Sequence, residues 1–268
     1  DAAFQLTFKA TDTAGNVTST TSDFDFTYVN QAPSVTGIES SYLLSAGGSG
    51  TAITATGTDP EGDAITWSFE EIATGSSYVI VGAYADDDNG TDSGSVYVYD
   101  ANDLSATPTK LTAFDGATGD YFGQSVVATA DKIAVGASYD DDNGTSSGSV
   151  YVYDANDLSA QPTKLTAFDG DGGDLFGGKL AVSGDKLIVS AQQDETDNNI
   201  AGSGSVYVYD INNLSATPTK LTAFDGAASD YFGSVIYATA DRIVVGAYGD
   251  ESNTGAVYVY DANDLSAQ

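Results

Sequence analysis

Carboxylates are the chemical groups this sequence holds in excess. The run Asp86-Asp87-Asp88-Asn89-Gly90 returns 54 residues later as Asp140-Asp141-Asp142-Asn143-Gly144, and Asp59, Glu61 and Asp63 alternate through Thr58-Asp59-Pro60-Glu61-Gly62-Asp63. Clustered carboxylates repel one another unless a cation or bulk salt neutralises them, and hard oxygen donors suit calcium. The candidate ligands are Asp59, Glu61, Asp63, Asp86, Asp88, Asp140 and Asp142. The plainer reading makes the two Asp-Asp-Asp-Asn-Gly runs solvated hairpin tips, since Asp, Asn and Gly are turn residues. An EF-hand frame with glycine at its sixth position puts Ala85 or Tyr139 first, where a carboxylate belongs. Later copies drift to Asp194-Glu195-Thr196-Asp197-Asn198-Asn199 and shrink to Asp250-Glu251-Ser252-Asn253, which a strict ligand set would not tolerate.

Other chemistry is limited by composition. The chain has no His, which removes the usual acid–base group near neutral pH, and no Cys, which removes thiolate nucleophiles, disulfides and soft metal sites. Carboxylate pairs are everywhere, yet none is singled out as a glycosidase pair, and near-identical repeated loops do not make one asymmetric pocket. The expectation is a protein that is not an enzyme. Eight basic against 39 acidic residues leave a formal charge of −31, which repels nucleic-acid phosphate and anionic lipid. No apolar run reaches the ~20 residues of a membrane helix. Nucleic acid and membrane insertion are therefore not expected. A chain of 268 residues that opens on Asp1 and contains no Met reads as a processed protein or a stretch of a longer one.

An internal repeat positions the acidic runs. Gly94-Ser95-Val96-Tyr97-Val98-Tyr99-Asp100 recurs from Gly148, from Gly204 and, as Gly255-Ala256-Val257-Tyr258-Val259-Tyr260-Asp261, near the end, at spacings of 54, 56 and 51 residues. Between copies stand Thr109-Lys110-Leu111-Thr112-Ala113-Phe114-Asp115-Gly116, a Phe-Gly pair, and a run such as Ile133-Ala134-Val135-Gly136-Ala137. Short runs of Val, Ile, Tyr and Phe between Asp, Asn, Gly and Ser clusters read as strands and turns, with no helical period. Val-Tyr-Val-Tyr is apolar on both alternating faces, as a sheet sandwiched between two others requires. Four-stranded antiparallel units repeated every ~50 residues predict an all-β fold, a β-propeller of about four blades.

Phe122-Gly123, Phe176-Gly177 and Phe232-Gly233, each followed by a Val-Gly-Ala or Val-Ser-Ala step and then by Val-Tyr-Val-Tyr, resemble the FG-GAP repeats of integrin-alpha-type propellers and bacterial surface proteins. The resemblance implies that the Phe-Gly strand is innermost and the Lys-Leu-Thr-Ala-Phe run outermost. Lys110, Lys164 and Lys220 then stand on an edge strand, where charge discourages pairing with other chains. The family's calcium loop precedes the Gly-Ala step, a place held here by the tight turn Thr129-Ala130-Asp131-Lys132. Residues 122–168 and 176–224 make two complete blades, and 232–261 a third lacking its outer strand. The first blade has strands at 78–83, 95–99 and 109–114, and Trp67-Ser68-Phe69-Glu70-Glu71-Ile72 is its expected inner strand.

Residues 1–64 form a separate segment, before blades over 65–268. Phe4-Gln5-Leu6-Thr7-Phe8-Lys9-Ala10-Thr11-Asp12 and Phe24-Asp25-Phe26-Thr27-Tyr28-Val29 read as a hairpin that resembles the end of an immunoglobulin-like module. Asn30-Gln31-Ala32-Pro33 with Asp59-Pro60-Glu61-Gly62-Asp63 resembles the opening of a cadherin-like module, which implies an inter-module calcium at Asp59, Glu61 and Asp63. The functional expectation is an adhesin-like extracellular or cell-surface protein that presents propeller loops to a protein or glycan ligand. The alternative is a subunit of an extracellular filament or matrix, whose partners are further copies of itself joined by strand exchange.

Overall fold

Alternating Val, Ile and Tyr favour extended backbone, and the Asp, Asn and Gly clusters between them favour tight reversals. The computed structural model describes residues 10–11, 17–18, 22–27, 53–58, 78–195, 200–250 and 254–265. Its elements in order are β-strands. The chain divides into two compact units: residues 1–66, 77–79 and 97–110 form one, and residues 67–76, 80–96 and 111–268 form the other.

In the first unit, β1 (Ala10–Thr11) pairs antiparallel with β2 (Val17–Thr18), and β3 (Ser22–Thr27) runs parallel to β4 (Ile53–Thr58). The described neighbour of β3 thus comes from further along the chain, and most of the hairpin expected between 4–12 and 24–29 lies outside the described residues. Alternation marks a strand without naming its partner. The other residues behind the immunoglobulin and cadherin resemblance, including Asp59, Glu61 and Asp63, lie outside the described residues, as does the expected inner strand at 67–72.

Four sheets follow the four repeats. The first contains β5 (Tyr78–Ala83), β6 (Ser95–Asp100) and β7 (Thr109–Leu111) in that order. The second orders β8 (Ser125–Ala128), β9 (Lys132–Ala137), β10 (Ser149–Asp154) and β11 (Thr163–Leu165) as an antiparallel meander. The third repeats it with β12 (Phe176–Ser183), β13 (Lys186–Ala191), β14 (Ser205–Asp210) and β15 (Thr219–Leu221). The fourth holds β16 (Phe232–Ala238), β17 (Arg242–Ala247) and β18 (Ala256–Asp261), with no outer strand among the described residues. Two complete units and a three-stranded last one are what the repeat predicts. On the outer strands, Lys164 lies opposite Tyr151 and Lys220 opposite Tyr207.

The second, third and fourth sheets pack face to face. Val150 and Val152 of β10 cluster with Phe176, Leu187 and Tyr207 of the next repeat, and Val206 and Val208 of β14 with Phe232, Ile243 and Tyr258. The valine side of one Val-Tyr-Val-Tyr strand thus meets the tyrosine side of the next repeat. Fully burying one such side chain contributes about 1.5–3 kcal/mol, which a lone sheet could collect on one face only. In β18 that valine side is wet: Val257 is 68% exposed and Val259 54% exposed, because no further sheet covers them among the described residues.

The Phe-Gly pair closes the joint. Gly148 bridges Phe176 at φ +84°, and a Cβ there would run into the Phe176 carbonyl oxygen. That approach demands glycine both for its φ and for its missing side chain. Phe176 is fully buried and meets Tyr207 and Tyr209 edge to face at 5.4 and 6.3 Å. The register against β13 shifts between Phe176 and Leu180, a bulge that aims the ring into the joint.

Candidate functional site

In the two acidic runs Asp87, Asp88, Asp141 and Asp142 are exposed, while Asp86 and Asp140 are buried. Asp140 turns inward, and its Oδ2 accepts the Tyr151 hydroxyl at 2.8 Å and the Lys164 ammonium at 2.8 Å. Lys164 reaches it from the outer strand β11, passing over the Tyr151 ring with Nζ 5.0 Å from the centroid. Its side chain is only 13% exposed, and it also pairs with Asp142 and with Asp115 at 2.8 Å. Asp115 comes from the preceding repeat, just after β7, and its other oxygen lies 2.7 Å from the Tyr151 hydroxyl, whose single proton the two carboxylates share. One lysine and one tyrosine therefore tie two repeats together.

The third repeat builds the same cluster. Lys220 pairs with Asp169 at 2.7 Å and Asp194 at 2.8 Å, with its Nζ 5.3 Å from the Tyr207 centroid. The Tyr207 hydroxyl reaches Asp169 at 2.7 Å and Asp194 at 3.1 Å. In the first repeat Lys110 lies over the Tyr97 ring at 5.3 Å. The second tyrosine of each strand adds a bond to the preceding repeat: Tyr153 donates to the Thr112 carbonyl at 3.3 Å and Tyr209 to Thr166 at 3.4 Å.

The titrations follow this arrangement. Burial opposes a charged Lys164, but the hydrogen bonds it donates to Asp115, Asp140 and Asp142 outweigh it and raise its pKa above the ordinary lysine value. Partial burial of Asp115 is outweighed by Lys164 and then Tyr151, so its carboxyl titrates lower than usual, and Asp169 behaves likewise with Lys220 and Tyr207. Among the described residues no lysine is hydrogen-bonded to Asp174. Burial, reinforced by the nearby Asp194 and Asp171, pushes it up to about 6 although it accepts the Asp171 N–H.

One sequence expectation changes here. The three lysines do lie on outer strands, but the heads of Lys164 and Lys220 are folded into ion pairs instead of standing out as guards on an open edge. At Asp140 and Asp142, one oxygen of each carboxylate pairs with the Lys164 ammonium. Asp86 is also buried, with one oxygen accepting the Asp88 N–H at 3.2 Å and the other the Ser95 hydroxyl at 3.0 Å. Among the described residues no three acidic side chains are gathered so as to hold a metal ion.

Sequence reasoning passed over the aspartates that carry these joints. Asp115, Asp169 and Asp225 recur in each Phe-Asp-Gly, and Asp120, Asp174 and Asp230 always stand two residues before the Phe of Phe-Gly. The last three are buried and accept the N–H three residues earlier at 2.6–2.7 Å. Their constant offset from the Phe-Gly pair was the available signal.

Family comparison agrees with this geometry. A model described as the FG-GAP repeat matches residues 70–99, 107–153, 160–209 and 217–260. The chain belongs to the FG-GAP repeat family. Each matched FG-GAP segment ends on the Val-Tyr-Val-Tyr strand of one sheet or within a residue of it. A solved structure, the β-propeller domain of the Trilobed protease from Pyrococcus furiosus, described as having an open velcro topology, is similar at 11% identity with a TM-score of 0.41. The similarity covers 74% of this FG-GAP chain and 56% of that one. No curated protein matches.

One loop surface remains beside the clusters. Tyr84, Tyr121 and Tyr139 form a ladder of edge-to-face rings at 5.5 and 4.9 Å. It borders an open depression of about 480 Å³ lined by Tyr139, Thr145, Ser146, Gly172, Leu175 and Gln193.

Proposed function

We propose that this chain is a non-catalytic recognition module of an adhesin-like extracellular or cell-surface protein. It presents the loops between the second and third strands of its repeats to a protein or glycan ligand. The observation that carries the reading is the tyrosine ladder beside an open depression of mixed polar and apolar lining. Aromatic rings give contact area at low entropic cost, and Thr145, Ser146 and Gln193 offer hydrogen bonds. FG-GAP repeats are typical of extracellular and surface proteins, which supports the location, and the excess acid keeps such a surface hydrated. The test is binding of the purified chain to arrayed glycans and extracellular-matrix proteins. Tyr139→Ala should weaken any hit at least about tenfold while Tm stays within a few degrees. Hits that persist in Tyr84→Ala, Tyr121→Ala and Tyr139→Ala alike would remove this surface from the reading.

A second reading, a subunit of an extracellular filament, draws on the three-stranded fourth sheet. Electron microscopy of the purified chain separates the two, since discrete particles favour recognition and regular filaments favour assembly.

A further inference from the structure

The joint between the second and third repeats differs from its neighbours by one ring. The residue before each Phe-Gly has a left-handed backbone, with φ +55° at Tyr121, +59° at Leu175 and +56° at Tyr231. Each also donates its N–H to the preceding repeat: Tyr121 to the Asp92 carbonyl, Leu175 to Ser146 and Tyr231 to Gly202. The backbone thus presents this side chain alike at all three joints. At two of them it is a tyrosine packed on other rings. Tyr121 meets Tyr84 and Tyr139 edge to face, and Tyr231 stacks on Tyr248 at 4.9 Å while lying against Gly202 and Gly249. Ser146 and Gln193 are the counterparts of Gly202 and Gly249, since Gln193 and Gly249 donate their N–H in the same way to the carbonyls of Asp174 and Asp230. Leu175 brings no ring, and Leu175, Ser146 and Gln193 line the open depression of about 480 Å³ beside Tyr139. The depression stands where the other two joints hold their tyrosine. Its rim is acidic: exposed Asp141 accepts the Ser146 N–H at 2.7 Å, and exposed Asp171 directly precedes Gly172 of the lining.

We propose that this depression receives an exposed tyrosine side chain of a protein partner, carried between basic residues. The inference rests on the recognition reading above and names the partner class for that surface. The occupant is an aromatic ring because the fold places its own tyrosine at this position in the joints on either side. A ring entering here packs on Tyr139, and aromatic pairs contribute more than their buried area alone. Thr145, Ser146 and Gln193 supply hydrogen-bond partners for its hydroxyl. The flanking residues are basic because Asp141 and Asp171 charge the rim, no Lys or Arg lines the depression, and a chain of net charge −31 repels an acidic segment. A neutral sugar gains nothing from that charge, so a protein segment is favoured over a glycan.

NMR titration of the whole chain with the capped peptide Gly-Arg-Tyr-Arg-Gly tests this. Saturable shifts are expected at the Tyr139, Ser146 and Gln193 amides, with binding at least about fivefold weaker for Gly-Arg-Ala-Arg-Gly and for Gly-Glu-Tyr-Glu-Gly. Leu175→Tyr should refill the joint with the chain's own ring and weaken peptide binding at least about tenfold. Its Tm should stay within a few degrees of the parent, because Tyr121 and Tyr231 already hold the same backbone conformation. If Leu175→Tyr fails to fold, the two control peptides on the parent chain decide alone. No shifts at these amides, equal binding of the Ala peptide, or undiminished binding by a folded Leu175→Tyr overturns the proposal. Lactose moving these amides where the peptide does not would also overturn it, while leaving the recognition reading in place. Array hits lost in Tyr84→Ala but kept in Leu175→Tyr would likewise uphold recognition at the ladder and remove the tyrosine socket.

Discussion

Lys164 bears more than a surface lysine does. Its ammonium neutralises three carboxylates at a site that is mostly closed to water, so its removal leaves Asp115, Asp140 and Asp142 facing one another. Lys164→Met, which keeps the packing of the stem, should lower stability by roughly 2–4 kcal/mol in urea unfolding, in line with breaking a buried pair. Lys132, paired with Asp154 at 3.6 Å in the open, is the control: Lys132→Ala should cost under about 1 kcal/mol. Equal losses would mean that the cluster has no special weight. The aspartates set a pH dependence of both signs. Folded Asp174 keeps its proton up to about pH 6, whereas the unfolded group releases it near 3.8, so its contribution to stability falls as pH rises through that window. Asp115 and Asp169 titrate below 3.8 when folded, so their contribution is present above that value and is lost as pH falls beneath it. Asp174→Asn should therefore improve in stability relative to the parent between about pH 4 and about pH 6.5, as read by urea midpoints. A difference that does not change with pH would contradict the assignment. The sequence shows Lys in a fixed place in each repeat but not where its flexible head goes. It leads to an edge-strand guard because only the fold brings Asp115 and Asp140 to the same ammonium.

Strands and their order were legible because Val-Tyr-Val-Tyr is apolar at every position, and the alternation assigns both faces to burial. The order of the repeats and the three-stranded last sheet of the described residues followed from the same pattern. The joint between sheets was not legible, since the approach of Gly148 to Phe176 depends on a backbone conformation and not on residue type alone. Gly148→Ala puts a methyl group against the Phe176 carbonyl at a φ of +84° and should cost at least about 2 kcal/mol. Gly184 also has positive φ, +58°, but nothing lies near its missing Cβ. Gly184→Ala should cost only about 1 kcal/mol, and a matching loss at both sites would show that φ alone governs Gly148.

Across the molecule, the second and third repeats bring a lysine of their own to the acidic loops. Chelation by EGTA should therefore leave Tm unchanged, whereas a fall on chelation that calcium restores would return Asp86, Asp88, Asp140 and Asp142 to the calcium reading. The central claim is that successive sheets are joined through an Asp–Tyr–Lys cluster spanning two repeats. A double-mutant cycle on Asp115→Asn and Lys164→Met measures this most directly, because the two residues come from neighbouring repeats and meet at 2.8 Å. A coupling energy above about 1 kcal/mol in urea unfolding is the expected result. Losses that simply add, to within about 0.3 kcal/mol, would contradict it.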